Sequence, residues 1–143
     1  MATDRTAQVT WSGSLMEGSG RIESVGTGAF GPLDVDWPAR AEEQGAKTSP
    51  EELIAAAHAA CFAMALSHGL AQAGTPPERL ETSATVTFQP GEGITRIALG
   101  VVATVPGLDE AGFAEAAAGA KAGCPVSQAL AGVPEITLDA RLA

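Results

Sequence analysis

The stretch from Ser49 to Gly74, SPEELIAAAHAACFAMALSHGLAQAG, restricts the possible folds more than any other part of the chain. Ser49 is a helix N-cap residue, Pro50 suits the first helical position, and Glu51 and Glu52 fill the first turn. Glu52, three residues after Ser49, completes a capping box, and both carboxylates complement the positive end of the helix dipole. Gly74 is the stop signal, with Pro76 and Pro77 directly beyond it. Between these signals the residues are almost all apolar and rich in alanine. Such a helix runs roughly 36 Å at 1.5 Å per residue. Being apolar nearly all round, it asks for cover on every side, which makes it a central core helix. Leu53 to Ala71 approaches the length of a membrane span, but this alanine-rich run is weakly apolar and is broken by His58, Ser67 and His68. A buried helix is therefore expected, and no membrane.

The rest of the chain must supply that cover. At 143 residues it is expected to form one domain, residues 1–143, and its 45% hydrophobic content suits a packed core rather than disorder. Gln8 to Ser12 alternates with Val9 and Trp11 on one side, and Arg21 to Val25 reads as a second strand after a turn at Glu17 to Gly20. A third extended piece follows from Phe30 to Trp37, and Pro38 to Lys47 reads as a polar surface loop carrying Arg40. Beyond the helix, Thr82 to Gln89 alternates Ala84, Val86 and Phe88 against threonines. Ile97, Leu99, Val101, Ala103 and Val105 then recur at every second residue. The turn residues Pro90, Gly91 and Gly93 join these two as an antiparallel hairpin. Asp109 caps a helix from Glu110 to Ala122, Cys124 opens a shorter one through Ala131, and Glu135 to Leu142 is a last strand. Clustered antiparallel strands with helices packed on them make an α+β architecture. A few short strands cannot cover the whole central helix, so a homodimer is expected to finish the task.

Charge and cysteine usage narrow the chemistry. A formal net charge of −9 argues against nucleic acid or an anionic membrane as partner. The opening MATDRTAQVT has no apolar signal core, so a cytoplasmic setting is expected, where two cysteines are reactive or simply buried rather than a structural staple. Cys124, between Gly123 and Pro125 at a helix start, has two readings: a thiolate favoured by free backbone N–H groups, or a small residue filling the turn. Cys61, in mid-helix among alanine and phenylalanine, has no local reason to ionise, and desolvation should raise its pKa. By itself it reads as packing, and reactivity would require a positive group from elsewhere, Arg40 or Arg21. His58, three residues before Cys61, allows a Cys–His pair for acyl transfer, although a histidine satisfied at a helix contact is the commoner case. Two Cys and two His at these spacings match no usual zinc pattern, and the glycines of GSGRIESVGTG lack phosphate-loop spacing, so no metal or cofactor is expected.

The run SPEELIAAAHAACFAMALS, then KAGCPVSQAL with its cysteine 63 residues after the first, then EITLDARL, strongly resembles the OsmC/Ohr family. These are osmotically inducible and organic-hydroperoxide-resistance proteins, and AHAACF and AKAGCPVSQ bring the chain nearer the OsmC branch. The resemblance spans nearly the whole chain, from QVTWSGS to the last strand. It implies an intertwined homodimer with active sites at the subunit interface and a thiol-dependent peroxidase acting on organic hydroperoxides. Cys61 would then be the peroxidatic cysteine and Cys124 the resolving one, which reverses the ranking from local sequence. An external dithiol, of the lipoyl or dihydrolipoamide type, would restore both thiols. Arg40 matches the arginine of the OsmC pattern and Glu51 the carboxylate that holds it, while Arg21 falls nearer the Ohr position and is the second choice. Ser49 stands where the family motif has asparagine, a mild departure because both cap helices well. Alanine, Phe62 and Met64 around Cys61 would form an apolar pocket for an alkyl tail, and His58 would be structural. The alternatives are a Cys61/His58 acyl-transfer enzyme and a non-catalytic redox-sensing or ligand-binding dimer.

Overall fold

The structure is a computed structural model describing residues 1–42 and 45–143, and the chain divides into two compact units, Met1–Pro50 and Glu51–Ala143. In the N-terminal unit, β1 (Ala7–Ser12), β2 (Ser19–Val25) and β3 (Leu33–Val35) form an antiparallel sheet in that order. Gly20 on β2 carries no Cβ because one there would stand 2.5 Å from the Trp11 ring, so the glycine lets the indole lie against the strand. β3 is shorter than the Phe30 to Trp37 expected from sequence. Gly31 has a φ of +119° and Pro32 has no N–H to give, so pairing starts only at Leu33. Asp36 then leaves the sheet to cap a short helix, α1 (Trp37–Ala41), accepting the Ala39 N–H at 2.9 Å and an ion pair from Lys47 at 2.6 Å. The expected loop at Pro38 to Lys47 thus opens as helix. Five residues are too few for a periodicity to reveal, and positions 43 and 44 lie outside the described residues.

The C-terminal unit is built on α2 (Pro50–Gln72). It begins at the proline and ends as its glycine dictates. The Gly74 N–H bonds to Ala71 O at 3.1 Å, Thr75 N–H to Leu70 O at 2.9 Å, and Gly74 adopts a φ of +87°. This is the Schellman arrangement, which a side chain at Gly74 would strain. β4 (Arg79–Gln89) and β5 (Gly93–Thr104) form the expected antiparallel hairpin. α3 (Glu110–Gly123) is capped by Asp109, which accepts the Gly112 N–H at 2.8 Å, and α4 (Pro125–Ala129) precedes β6 (Glu135–Leu142). One pairing departs from the antiparallel expectation: β6 lies parallel to β5, giving a second sheet of order β4-β5-β6. The cause is the connection. Two helices stand between these strands, and a helical crossover returns the chain to the end of the sheet where β5 began.

The core lies where the alternation of β5 predicts. Ile97, Leu99, Val101 and Ala103 on one face of that strand meet Phe62, Leu66 and Leu70 of α2 and Phe113, Ala117 and Ala120 of α3. The four-residue spacing 62-66-70 gives α2 a single core stripe. Thr82 on β4 ties the helix down further, its hydroxyl donating to Ala59 O at 3.1 Å. The expected burial on every side is not met within one chain. The buried residues of α2 are Glu51, His58, Phe62, Leu66 and Leu70, while Met64 stays 74% exposed. By length and hydropathy α2 could cross a bilayer, but its core stripe is spent on β5 and α3.

A candidate active site built on two thiols

Cys124 owes its position to Pro125. A residue before proline is pushed out of helical geometry, and Cys124 takes an extended φ of −62° and ψ of 122°, which breaks α3 from α4. Its backbone serves both helices: the N–H bonds to Ala120 O at 2.9 Å and the carbonyl accepts the Gln128 N–H at 3.0 Å. The side chain is fully buried. Opposite stands Cys61, half-buried on α2 next to the core stripe. The two thiols are both free and close enough for each to perturb the ionisation of the other.

Their surroundings are unequal. Burial pushes the Cys61 thiol above its ordinary value, and the neighbouring Cys124 sulfur adds to this, against a smaller opposing pull from the Val126 N–H. Burial also works to raise Cys124, but the Ser127 N–H, the Cys61 thiol, the Ser127 hydroxyl and the Val126 N–H together hold it below the ordinary value. The local reading of Cys124 as the more readily ionised thiol is thus what one subunit displays.

His58 lies one helical turn before Cys61 and is fully buried, with Nε2 2.7 Å from Ser127 Oγ. Burial lowers its pKa, so it is neutral at physiological pH. Its partner is therefore Ser127 rather than Cys61. Sequence reasoning passed over Ser127, because its partner His58 is 69 positions away and no local pattern links the two.

The remaining candidates are distributed more widely. Glu51 is in the first turn of α2, 6% exposed, ten residues and so about 15 Å along the axis from Cys61. Within one chain it does not reach the thiols. Arg40 is half-buried in the last turn of α1, and Arg21 on β2 faces Asp34 across the sheet at 3.9 Å, both in the N-terminal unit. Phe62 cannot line a substrate pocket as expected, because it is wholly enclosed in the core. Met64 instead lines an open groove on the outer face of α2 with Ser67, His68, Glu78 and Arg79. Among the described residues no group of three or more His, Cys, Asp and Glu side chains could hold a metal ion.

Comparison with known proteins agrees with this fold. The profile described as OsmC-like protein matches residues 43–139. The chain is 43% identical over 146 residues to Peroxiredoxin OsmC of Escherichia coli (strain K12), covering 99% of both. Among solved structures, the organic hydroperoxide resistance protein OhrB of Bacillus subtilis superposes with a TM-score of 0.63 at 27% identity, over 96% of this chain and 98% of that one. An organic hydroperoxide resistance protein OsmC from Legionella pneumophila superposes with a TM-score of 0.66 at 24% identity over 96% of each, a likeness of fold alone. With its α+β fold, its long central helix and this likeness over nearly its full length, the chain belongs to the OsmC family.

Proposed function

We propose that this protein is a thiol peroxidase that reduces organic hydroperoxides to alcohols through Cys61 and Cys124. The observation that carries the reading is the nearness of two free thiols, one on α2 and one at the start of α4, each of which perturbs the other. The name Peroxiredoxin OsmC, borne by a relative of this similarity, supports a peroxide-reducing activity, and the Bacillus relative is named for resistance to organic hydroperoxides. In this mechanism the Cys61 thiolate attacks the O–O bond, an alcohol leaves, and the sulfur is oxidised to a sulfenic acid. Cys124 then attacks that sulfur, the S–O bond breaks, the S–S bond forms, and the oxygen departs as water. An external dithiol, of the lipoyl or dihydrolipoamide type, exchanges with the disulfide and returns both thiols.

A thiolate at Cys61 must be supported against the burial that disfavours it, and a guanidinium is the natural support. Arg40 fills that role in this reading, with Glu51 holding the guanidinium, and Arg21 is the second choice. Since Glu51 stands ten residues from Cys61, roughly 15 Å along the helix, the reading requires the homodimer, with the site completed at the subunit interface. The outward face of α2, with Met64, is the apolar surface such a dimer would cover. The acyl-transfer alternative has lost its motive, because His58 Nε2 is bonded to Ser127.

Intact mass with thiol blocking, before and after one equivalent of an alkyl hydroperoxide, tests the reading. Conversion of both thiols to one intramolecular disulfide, reversed by a dithiol, is the expected result. If both thiols stay free while the peroxide persists, the protein is not a peroxidase. A reversible disulfide with no sustained turnover on a dithiol would make it a redox sensor instead.

A further inference from the structure

We infer that Asp36 and Lys47 form a clasp that holds α1 in place, so that both act as positioning residues for Arg40. Helix α1 is only five residues long, Trp37–Ala41, with Arg40 in its last turn. A single turn does not persist on helix propensity, because nucleation costs more than its few hydrogen bonds return. Something outside the helix must therefore hold it. Asp36 does so with both carboxylate oxygens. Oδ1 accepts the Ala39 N–H at 2.9 Å and caps the helix, while Oδ2 accepts a charge-assisted hydrogen bond from Lys47 Nζ at 2.6 Å. The second contact joins the residue before α1 to one eleven positions on, just ahead of Pro50, where α2 begins. Arg40 thus lies inside a stretch of chain whose two ends meet at one carboxylate.

The clasp differs from an ordinary surface ion pair. Asp36 keeps 15% of its side chain exposed against 45% for Lys47, so the carboxylate is held in place and the flexible lysine comes to it. Each charge is also reinforced. Lys47, ahead of the Ala39 N–H, holds the Asp36 carboxyl below its ordinary value, and Asp36 holds the Lys47 ammonium above its own. The two candidate arginines differ in support accordingly. Arg21 has a loose contact of 3.9 Å with Asp34 between exposed side chains, whereas Arg40 rides on a capped and clasped turn. A group that supports a reacting thiolate must be in position beforehand, and the reactive fraction of the protein scales with the population of the ordered turn. This role rests on the peroxidase reading, in which Arg40 supports the Cys61 thiolate.

The test compares D36A, D36N, K47M, K47R, the double variant D36N/K47M and R40M in two assays. The first is the rate at which an alkyl hydroperoxide oxidises Cys61 in a Cys124→Ser background. K47M is expected to slow it about two- to fivefold, the worth of an exposed ion pair. D36N, whose amide oxygen still caps the helix, should match K47M, and the double variant should be no slower than either. D36A, which loses cap and clasp together, should slow it about tenfold or more. K47R keeps the charge and should react like the parent, a rescue that packing alone would not produce. The second assay needs no peroxide. In a Trp11→Phe background, acrylamide quenching of Trp37, the first residue of α1, should rise in the same order as the rates fall. Rates in K47M and D36N equal to the parent's while R40M is slowed would overturn the positioning role. Quenching unmoved in both K47M and D36N would overturn the clasp itself. If the parent consumes no hydroperoxide, or R40M reacts as fast as the parent, the peroxidase reading or the part of Arg40 in it fails, while Trp37 quenching still decides the clasp.

Discussion

Replacing Phe62 by alanine and, separately, Met64 by alanine asks which face of α2 holds the fold together. The two residues are two positions apart, about 200° around the helix, so they face nearly opposite ways. Phe62 is fully buried against the sheet and α3, whereas Met64 is 74% exposed. Truncating a buried phenylalanine removes its transfer energy and leaves a cavity, about 3–5 kcal/mol together. With an unfolding entropy of about 2.1 cal/mol/K per residue, each kcal/mol lowers the midpoint of a chain this long by about 3 °C. Phe62→Ala should therefore melt about 10–17 °C below the parent. Met64→Ala changes a single chain by less than about 0.5 kcal/mol. If a second copy covers that face, its cost should instead be largest at high concentration and shrink as the protein is diluted toward monomer. The assay is thermal unfolding of the reduced protein at two concentrations about a hundredfold apart. A loss below about 1 kcal/mol for Phe62→Ala, or losses equal for both variants at every concentration, would refute the assignment of faces. A Met64→Ala effect independent of concentration would refute a dimer over the α2 groove.

Three further outcomes follow from particular residues. Cys124→Ser should let one equivalent of hydroperoxide oxidise Cys61 but stop recycling by a dithiol, read by intact mass and turnover; undiminished turnover would remove the two-cysteine cycle. Because burial holds His58 below its ordinary pKa of 6.5, the unfolded chain binds more protons as pH falls below that value. Stability from the neutral histidine is thus complete above pH 6.5 and declines as pH falls toward the folded pKa. Urea midpoints at about pH 7.5 and about pH 5.5 should differ less in His58→Gln than in the parent, and an equal difference in both would refute this. Gly74→Ala should cost about 1–2 kcal/mol, since the +87° φ strains an alanine while its Cβ would meet nothing within 4 Å. A neutral substitution in urea would mean that the helix end adopts another form.

Much of this protein was legible in one dimension, wherever local chemistry and the final fold make the same demand. Pro50 and Gly74 bound α2 because a ring without an N–H and a residue free to take positive φ act on the backbone where they stand. The alternation of Ile97, Leu99, Val101 and Ala103 foretold the buried face of β5, because a strand with one side in the core repeats every second residue. Cys124 as the easier thiol to ionise was also readable, from the pre-proline turn and the N–H groups after it. The parallel placing of β6, the enclosure of Phe62 and the tie between His58 and Ser127 were not. Each joins residues far apart in the chain, 69 positions in the case of His58 and Ser127, and depends on how whole elements cross rather than on any local preference. Sequence periodicity could say that α2 was apolar all round, but only packing showed which stripe went to the sheet and which was left outward. The same limit governs Cys61: its mid-helix neighbours predict an inert thiol, and only the tertiary fold brings a second free thiol, 63 positions away in the chain, into its neighbourhood.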